Sequence, residues 1–318
     1  MAVQTAPDPT PKTRTLSDFL QDYFMLTAVV APFFITLYAA ISLTRGEVSW
    51  KYPLLALALA SLTNLGTTAG YHRMLTHQSF KAHPIVQYVL LILGAMAGMS
   101  SPSKWVNDHI HHHSHSDDEH DIHSPHTPRF RGKKFETLRQ WYDAHTGWVF
   151  RNDNLRLSGR AKQVAATPAV RFVDKTANWW LLASLLLPLC FGWNAFVWCS
   201  AARLFLNHHI TWCVNSVCHL WGRQPFKNTR DRSKNNAIIG VLALGEGWHN
   251  NHHFRPASAR HGLLPGQLDL TYTVICLLEK CHLVTDVQRY AHCKNCQDWY
   301  SAGASAHDCS LKRRASAG

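Results

Sequence analysis

The sequence predicts an all-α integral membrane protein: four transmembrane helices in two hairpins, with a helical domain on one side of the bilayer. Three observations predict it. Uncharged apolar runs occur in two pairs, near residues 24–70 and 179–212. A polar, basic and aromatic stretch, 103–178, separates the pairs. Histidine motifs fall at the ends of the apolar runs or outside them, as chemistry held at a membrane surface requires.

The 318 residues carry a net charge of +12, and 46% are hydrophobic. The mean hydropathy of −0.16 hides long apolar runs beside a polar, His-rich remainder. The charge suits a face held against anionic phospholipid. No nucleic-acid-binding motif accompanies it, so no nucleic-acid partner is expected. Nine scattered cysteines point to a reducing compartment.

Residues 1–17, rich in Pro and Thr, are expected to be a flexible tail, with the membrane domain over 18–291 and a polar tail over 292–318. The first span, about 24–43, has no charge and is long enough to cross a bilayer. A short polar break, Arg45–Lys51, leads to the second, about 52–70. The apolar stretch 84–100 joins two histidine motifs. It cannot cross the membrane if both motifs meet at one site, so it reads as an interfacial helix. The run from Trp179 to Leu206 is too long for one untilted span. Gly192 and Trp193 divide it into spans of about 179–191 and 194–212, the latter able to continue towards His219. The outer links hold few cations beyond Arg45 and Lys51, whereas 103–178 holds many. By the positive-inside rule the latter faces the cytoplasm. Leu268–Leu283 carries Asp269, Glu279 and Lys280, and reads as an amphipathic helix rather than a span.

His249, His252 and His253 stand at i, i+3 and i+4, and so do His109, His112 and His113. On a helix each set shares one face. His72 and His77 close a third motif. Neutral imidazole binds first-row transition metals, and eight such ligands are more than one ion needs. Asp121, His123 and Glu246 are placed to orient such imidazoles. For Glu246 a helix N-terminal charge is an equal alternative.

These residues carry a resemblance. The first motif reads His72-Arg73-Met74-Leu75-Thr76-His77. The second runs from Trp105 through Asp108 and His109 to His113 and on to Asp121, and the third is Gly245–His253. Asn215-Ser216-Val217-Cys218-His219 lies between the last two. Together they resemble the membrane fatty-acyl desaturases, specifically the stearoyl-type (Δ9) acyl-CoA and acyl-lipid branch. The resemblance implies two iron ions bound by His72, His77, His109, His112, His113, His219, His249, His252 and His253, with Asn215 reaching one iron through water. It implies that Trp105, Thr211 and Trp212 bend an acyl chain near the metals, and that Ala60 and Asn64 line the tunnel end. For both tryptophans, interfacial anchoring is the alternative. The implied activity is O2-dependent insertion of a cis double bond into an acyl-CoA or acyl-lipid. Electrons would come from a separate ferredoxin or cytochrome b5-like protein.

Two positions depart from the family's pattern. Ile110 stands where Arg usually follows the first histidine of the second motif, and Ile122 stands where Pro usually precedes the last. His111, His115 and His120 are additional, and His111 is an alternative ligand. His83, His145, His208, His209, His261 and His282 are expected to be packing or surface residues. Cys293, Cys296, His307 and Cys309 have an irregular zinc-like spacing that fits a disordered tail better. Two other functions compete: a lipid hydroxylase on the same metals, and a membrane metal-binding or transport protein. The latter needs polar ligands within the spans. No organelle-targeting or retention signal is visible, which makes the bacterial inner membrane the expected location.

Overall fold

A computed structural model describes residues 16–128, 131–151 and 155–290, with side chains from residue 27 onward. Helices dominate. α1 (Leu16–Thr44) is the one described helix long and apolar enough to cross a membrane by itself, over Thr27–Thr44. α2 (Lys51–Leu65) runs without a break into a π-helical segment, Gly66–Thr76. α3 (Pro84–Met96) and α4 (Pro102–His115) follow, each with proline in its first turn, where a missing N–H costs nothing. α5 (Glu136–His145), α6 (Gly159–Ala165) and α7 (Pro168–Leu186) cover the polar stretch and re-enter the apolar one. Gly192, at φ +99°, makes the expected turn. α8 (Trp193–Ala195), a second π-helical segment (Phe196–Ala202) and α9 (Arg203–Leu220) then form one long helical rod. α10 (Ala237–Leu242), α11 (His249–Phe254) and α12 (Leu270–Lys280) complete the set. A two-residue antiparallel ladder joins β1 (Lys81–Ala82) to β2 (Val284–Thr285).

The boundaries refine those read from sequence. The second apolar helix runs past residue 70 to Thr76 because π-helical hydrogen bonding continues it. The stretch expected to be helical over 84–100 stops at Met96, since Gly98 and Ser100 take positive φ. The fourth run reaches Leu220, carrying Asn215 and His219 on a continuous helix. Residues 1–15 of the expected N-terminal tail, and Cys293, Cys296, His307 and Cys309, lie outside the described residues.

Three apolar clusters hold the described residues together: a small one between α9 and α10, around Val214, Cys218, Ile239 and Ala243, and two larger ones. The larger of the two packs the π-helical segment, α3, α4, α6, α7 and α12 around Tyr71, Leu91, Val106, Val170, Val173 and Ile275. Its tightest point is the approach of the π-helical segment to α3: a Cβ on Gly66 would lie 2.0 Å from the Gly94 nitrogen. The smaller of the two joins α1, α2 and the second π-helical segment through Ala39, Ala56, Val197, Trp198 and Ala202. Arg203 is buried in the rod, where its guanidinium donates to the carbonyls of Met96 and Cys199 and to Ser184 Oγ. One carbonyl at the end of α3 and one a turn earlier in the rod thus satisfy a charge that the apolar run could not otherwise hold. Large apolar side chains stay exposed on the outer faces of these helices, among them Phe33, Phe34, Leu37, Leu54, Leu57, Leu187 and Phe191.

Candidate metal centre

The first motif depends on π-helical geometry. On an α-helix His72 and His77, five residues apart, would not share a face. Here the His77 amide donates to the His72 carbonyl at 3.1 Å, an i→i+5 bond. The widened turn brings the two rings edge to face at 4.8 Å. Trp105, on α4, stacks on His109 at 4.7 Å and meets the edge of His72 at 5.7 Å.

The third motif depends on its glycines. Gly245 takes φ +119°, and a Cβ there would lie 2.4 Å from Asp269. A Cβ on Gly247 would lie 2.1 Å from the Gly240 nitrogen. The backbone therefore enters α11 closely enough for His249, His252 and His253 to face α4 and α9.

The nine histidines fall into two groups. In the first, ligand atoms of His72, His77, His109, His113 and His252 lie within 4.8 Å of one another. In the second, those of His112, His219, His249 and His253 do the same. The groups abut, with His113 and His253 stacked at 4.5 Å. Within them Nε2 atoms converge: His72 to His252 at 3.1 Å, His113 to His109 at 3.0 Å and to His252 at 2.9 Å, His219 to His249 at 3.0 Å. Two nitrogens bound at right angles to one cation, each at about 2.1 Å, stand about 3.0 Å apart. The Nε2 atoms of His77, His112 and His253 are buried without a hydrogen-bond partner. These orphaned lone pairs and spacings fit two metal ions.

Carboxylates fix which nitrogen faces inward. His112 Nδ1 bonds Asp121 at 3.0 Å, His219 Nδ1 bonds Asp117 at 2.9 Å, and His253 Nδ1 bonds Asp231 at 2.6 Å. His72 Nδ1 stands 2.7 Å from Glu246. With Nδ1 donating, each Nε2 keeps its lone pair for a metal. Burial lowers the His72 pKa to about 4, against the opposing pull of Glu246. Burial, with neighbouring imidazoles, holds His77, His109, His113, His249 and His252 well below the usual histidine range. These rings are neutral at pH 7, the form that binds metal. Burial opposes charge on His219 too, but Asp117 outweighs it and raises that pKa. Burial would raise Asp117, Asp121 and Asp231, yet their histidine partners pull all three down.

His123 sits 4.4 Å from His112, ring to ring, and its amide donates to Asp121. Asn215 lies one turn before His219, and Thr211 one turn before Asn215, on α9. Ala60 and Asn64 are buried on α2, which packs against α9 where Asn207 donates to Thr63 at 2.8 Å. Trp212 is buried and stacks on His208 at 4.9 Å. His111 turns away from both groups, its Nε2 2.9 Å from the His120 carbonyl. Ile110 packs against the larger core, and Ile122 is buried with its carbonyl accepting from Arg151. Ile110 thus has apolar surroundings, and Ile122 is shielded from solvent.

Several residues were missed. His261 is buried 3.0 Å from Glu246, its ring 4.5 Å from that of His252. Arg73 is buried, donating to Glu246, Asp269 and the Ala259 carbonyl. Asp269 also accepts from the amides of His261 and Tyr272. The carboxylate behind each histidine lies far off in sequence or in an acidic loop, so spacing offers no signal for Asp117 or Asp231. His145 bridges Ser216 Oγ and His209 Nδ1, each at 2.9 Å, which fits a packing role.

Comparison with known proteins settles the family, since a model of the fatty acid desaturase family matches residues 48–265. The chain belongs to the fatty acid desaturase family. An "Acyl-CoA C20 Delta5-desaturase" of Anemone leveillei is 37% identical over 246 residues, 76% of this chain and 75% of that protein. An "sn-1 stearoyl-lipid 9-desaturase" of Anabaena variabilis is 35% identical over 262 residues, 80% of this chain and 92% of that protein. A "Palmitoyl-monogalactosyldiacylglycerol delta-7 desaturase, chloroplastic" of Arabidopsis thaliana is 36% identical over 251 residues, 76% of this chain but 63% of that protein. This desaturase is therefore an oxidoreductase acting on a fatty acyl chain. Its relatives' names place the double bond at three different carbons.

Proposed function

We propose that this desaturase introduces a cis double bond at Δ9 of a saturated acyl-lipid or acyl-CoA, using O2 and two iron ions. The observation that carries the reading is the gathering of nine histidines into two groups with inward Nε2 atoms. His72, His77, His109, His113 and His252 would hold one ion. His112, His219, His249 and His253 would hold the other, with Asn215 reaching it through water. When bound, two irons with O2 supply the oxidising power to take two hydrogens from unactivated methylenes, which no side-chain acid or base can do. Imidazole alone does not select iron; membership of the family does.

The chain's own residues supply position. Asp117, Asp121, Asp231 and Glu246 lock imidazole tautomers, and His123 braces Asp121. Trp105, Thr211 and Trp212 would bend the acyl chain so that one carbon pair faces the metals. Ala60 and Asn64 would set how far the methyl end reaches. Δ9 is favoured by the stearoyl-lipid relative, of which the chain covers 92%.

The exposed apolar faces of α1, α2 and the α7–α8 turn support four spans in two hairpins. The cations of 103–178 favour an active site on the cytoplasmic side, and a bacterial inner membrane is the setting we adopt. A separate ferredoxin or cytochrome b5-like donor with an acidic face would suit the net charge of +12. Hydroxylation of the same chain is the competing outcome.

Expression in a host lacking its own desaturase, with a compatible donor, tests the proposal. Gas chromatography with mass spectrometry should find a new Δ9 cis double bond that His252→Ala abolishes. A hydroxylated product would transfer the reading to an oxygenase. No product from folded, iron-loaded protein with a working donor would refute it.

A further inference from the structure

α4 carries histidines on two sides. His109, His112 and His113 face inward, whereas His111 and His115 lie on the opposite side at about 100° per residue. These two stand at i and i+4 with ring centroids 4.6 Å apart. His120 follows in the next loop, its ring 5.4 Å from that of His115.

The outward set repeats the chemistry of the interior. His115 Nδ1 lies 3.1 Å from Asp118, as four interior histidines lie on carboxylates. With Nδ1 donating there, the His115 Nε2 lone pair is free to bind a cation. His111 donates from Nε2 to the His120 carbonyl, which leaves its Nδ1 lone pair free. Asp118 also accepts from the His120 amide at 2.7 Å, so one carboxylate holds both the ring of His115 and the backbone of His120. The acyl-chain chemistry uses none of these residues.

We propose that His111 and His115, paired one turn apart, form an outward-facing site for one divalent transition-metal ion of the imidazole-binding class. Paired imidazoles favour Cu2+, Ni2+ and Zn2+ over Fe2+. The site is open to solvent and independent of the desaturase reading. Metal bound there would be counted whether or not the protein turns over lipid.

Zinc is the probe. Untagged full-length protein in detergent, its interior metal measured in the same sample, is equilibrated with Zn2+ against a chromophoric chelator. Wild type should hold one Zn2+ more than His111→Ala/His115→Ala, with equal interior metal. Asp118→Asn should weaken that extra Zn2+ about 10-fold, the lower end of what losing an orienting carboxylate costs. Equal zinc in wild type and double variant overturns the proposal. If the double variant loses interior metal, His111→Gln alone is read in its place, with the same two outcomes.

Discussion

Among the described residues Glu246 is the carboxylate bonded to a histidine of the first group, so Glu246→Gln tests what a tautomer lock is worth. One carboxylate oxygen lies 2.7 Å from His72 Nδ1, and the other accepts from Arg73 Nε and Nη2 at 3.2 and 2.9 Å. An amide cannot serve both. If its oxygen faces His72, its NH2 meets the guanidinium donors. If its NH2 faces His72, the ring must accept at Nδ1, and the proton moves to Nε2, the atom aimed at His252. Either way one charge-assisted bond is lost, about 1.5–3 kcal/mol. At about 1.4 kcal/mol per decade, that is roughly a 10- to 100-fold loss of affinity for the ion of the first group. The measurement is metal content by mass spectrometry after a graded chelator challenge, with circular dichroism to confirm folding. Asp117→Asn runs in parallel and should loosen the other ion instead. A folded Glu246→Gln protein that keeps both ions as tightly as wild type would refute the reasoning.

Three further outcomes follow from the same geometry. Burial lowers His72 to about 4 and His123 to about 3, below the ordinary 6.5, so the unfolded chain binds their protons more tightly. The stability they add is full above about pH 6.5 and is lost towards pH 4, the depressed carboxylates adding to the loss at still lower pH; thermal unfolding should show a falling midpoint across that window. Ala60→Phe should shift products towards shorter acyl chains without loss of metal, as chain-length profiles of the product lipids would show. Asp269→Asn removes a buried partner of Arg73 and should destabilise the protein by about 3–5 kcal/mol, seen as an earlier unfolding transition in detergent.

Much of the site was legible because imidazole ligands must share a face, and helical spacing announces that. His249, His252 and His253 needed only the 3.6-residue period. His72 and His77 did not obey it, and nothing in the local sequence states that Gly66–Thr76 is π-helical. The close packing of Gly66 on Gly94 is a tertiary condition on that segment, and single-chain periodicity cannot express it. The helix ends followed the same division. Gly192 marked a turn by its own conformational freedom, whereas α3 ended early through a positive φ at Ser100 as well as Gly98. Arg73 and His261 stayed hidden for a different reason. A cation inside a histidine motif and a histidine in a loop are ordinary surface residues until the fold buries them on one carboxylate.

Charge balance explains why these acids gather in so basic a chain. Only 20 Asp and Glu stand against 32 Lys and Arg. Yet Asp117, Asp121, Asp231 and Glu246 all stand behind histidines of the two groups. Two divalent ions would bring a charge of +4, and four ionised carboxylates bring −4. Arg73 and Asp269 add a pair that cancels. An interior that excludes water tolerates charge only when it is paired nearby, because the cost of an unpaired buried ion is several kcal/mol. The distribution is uneven: three carboxylates serve the four-histidine group and one serves the five-histidine group. The four-histidine ion would thus be held more by charge, and the five-histidine ion more by ligand number. On that ground the first group is where a chelator should compete first.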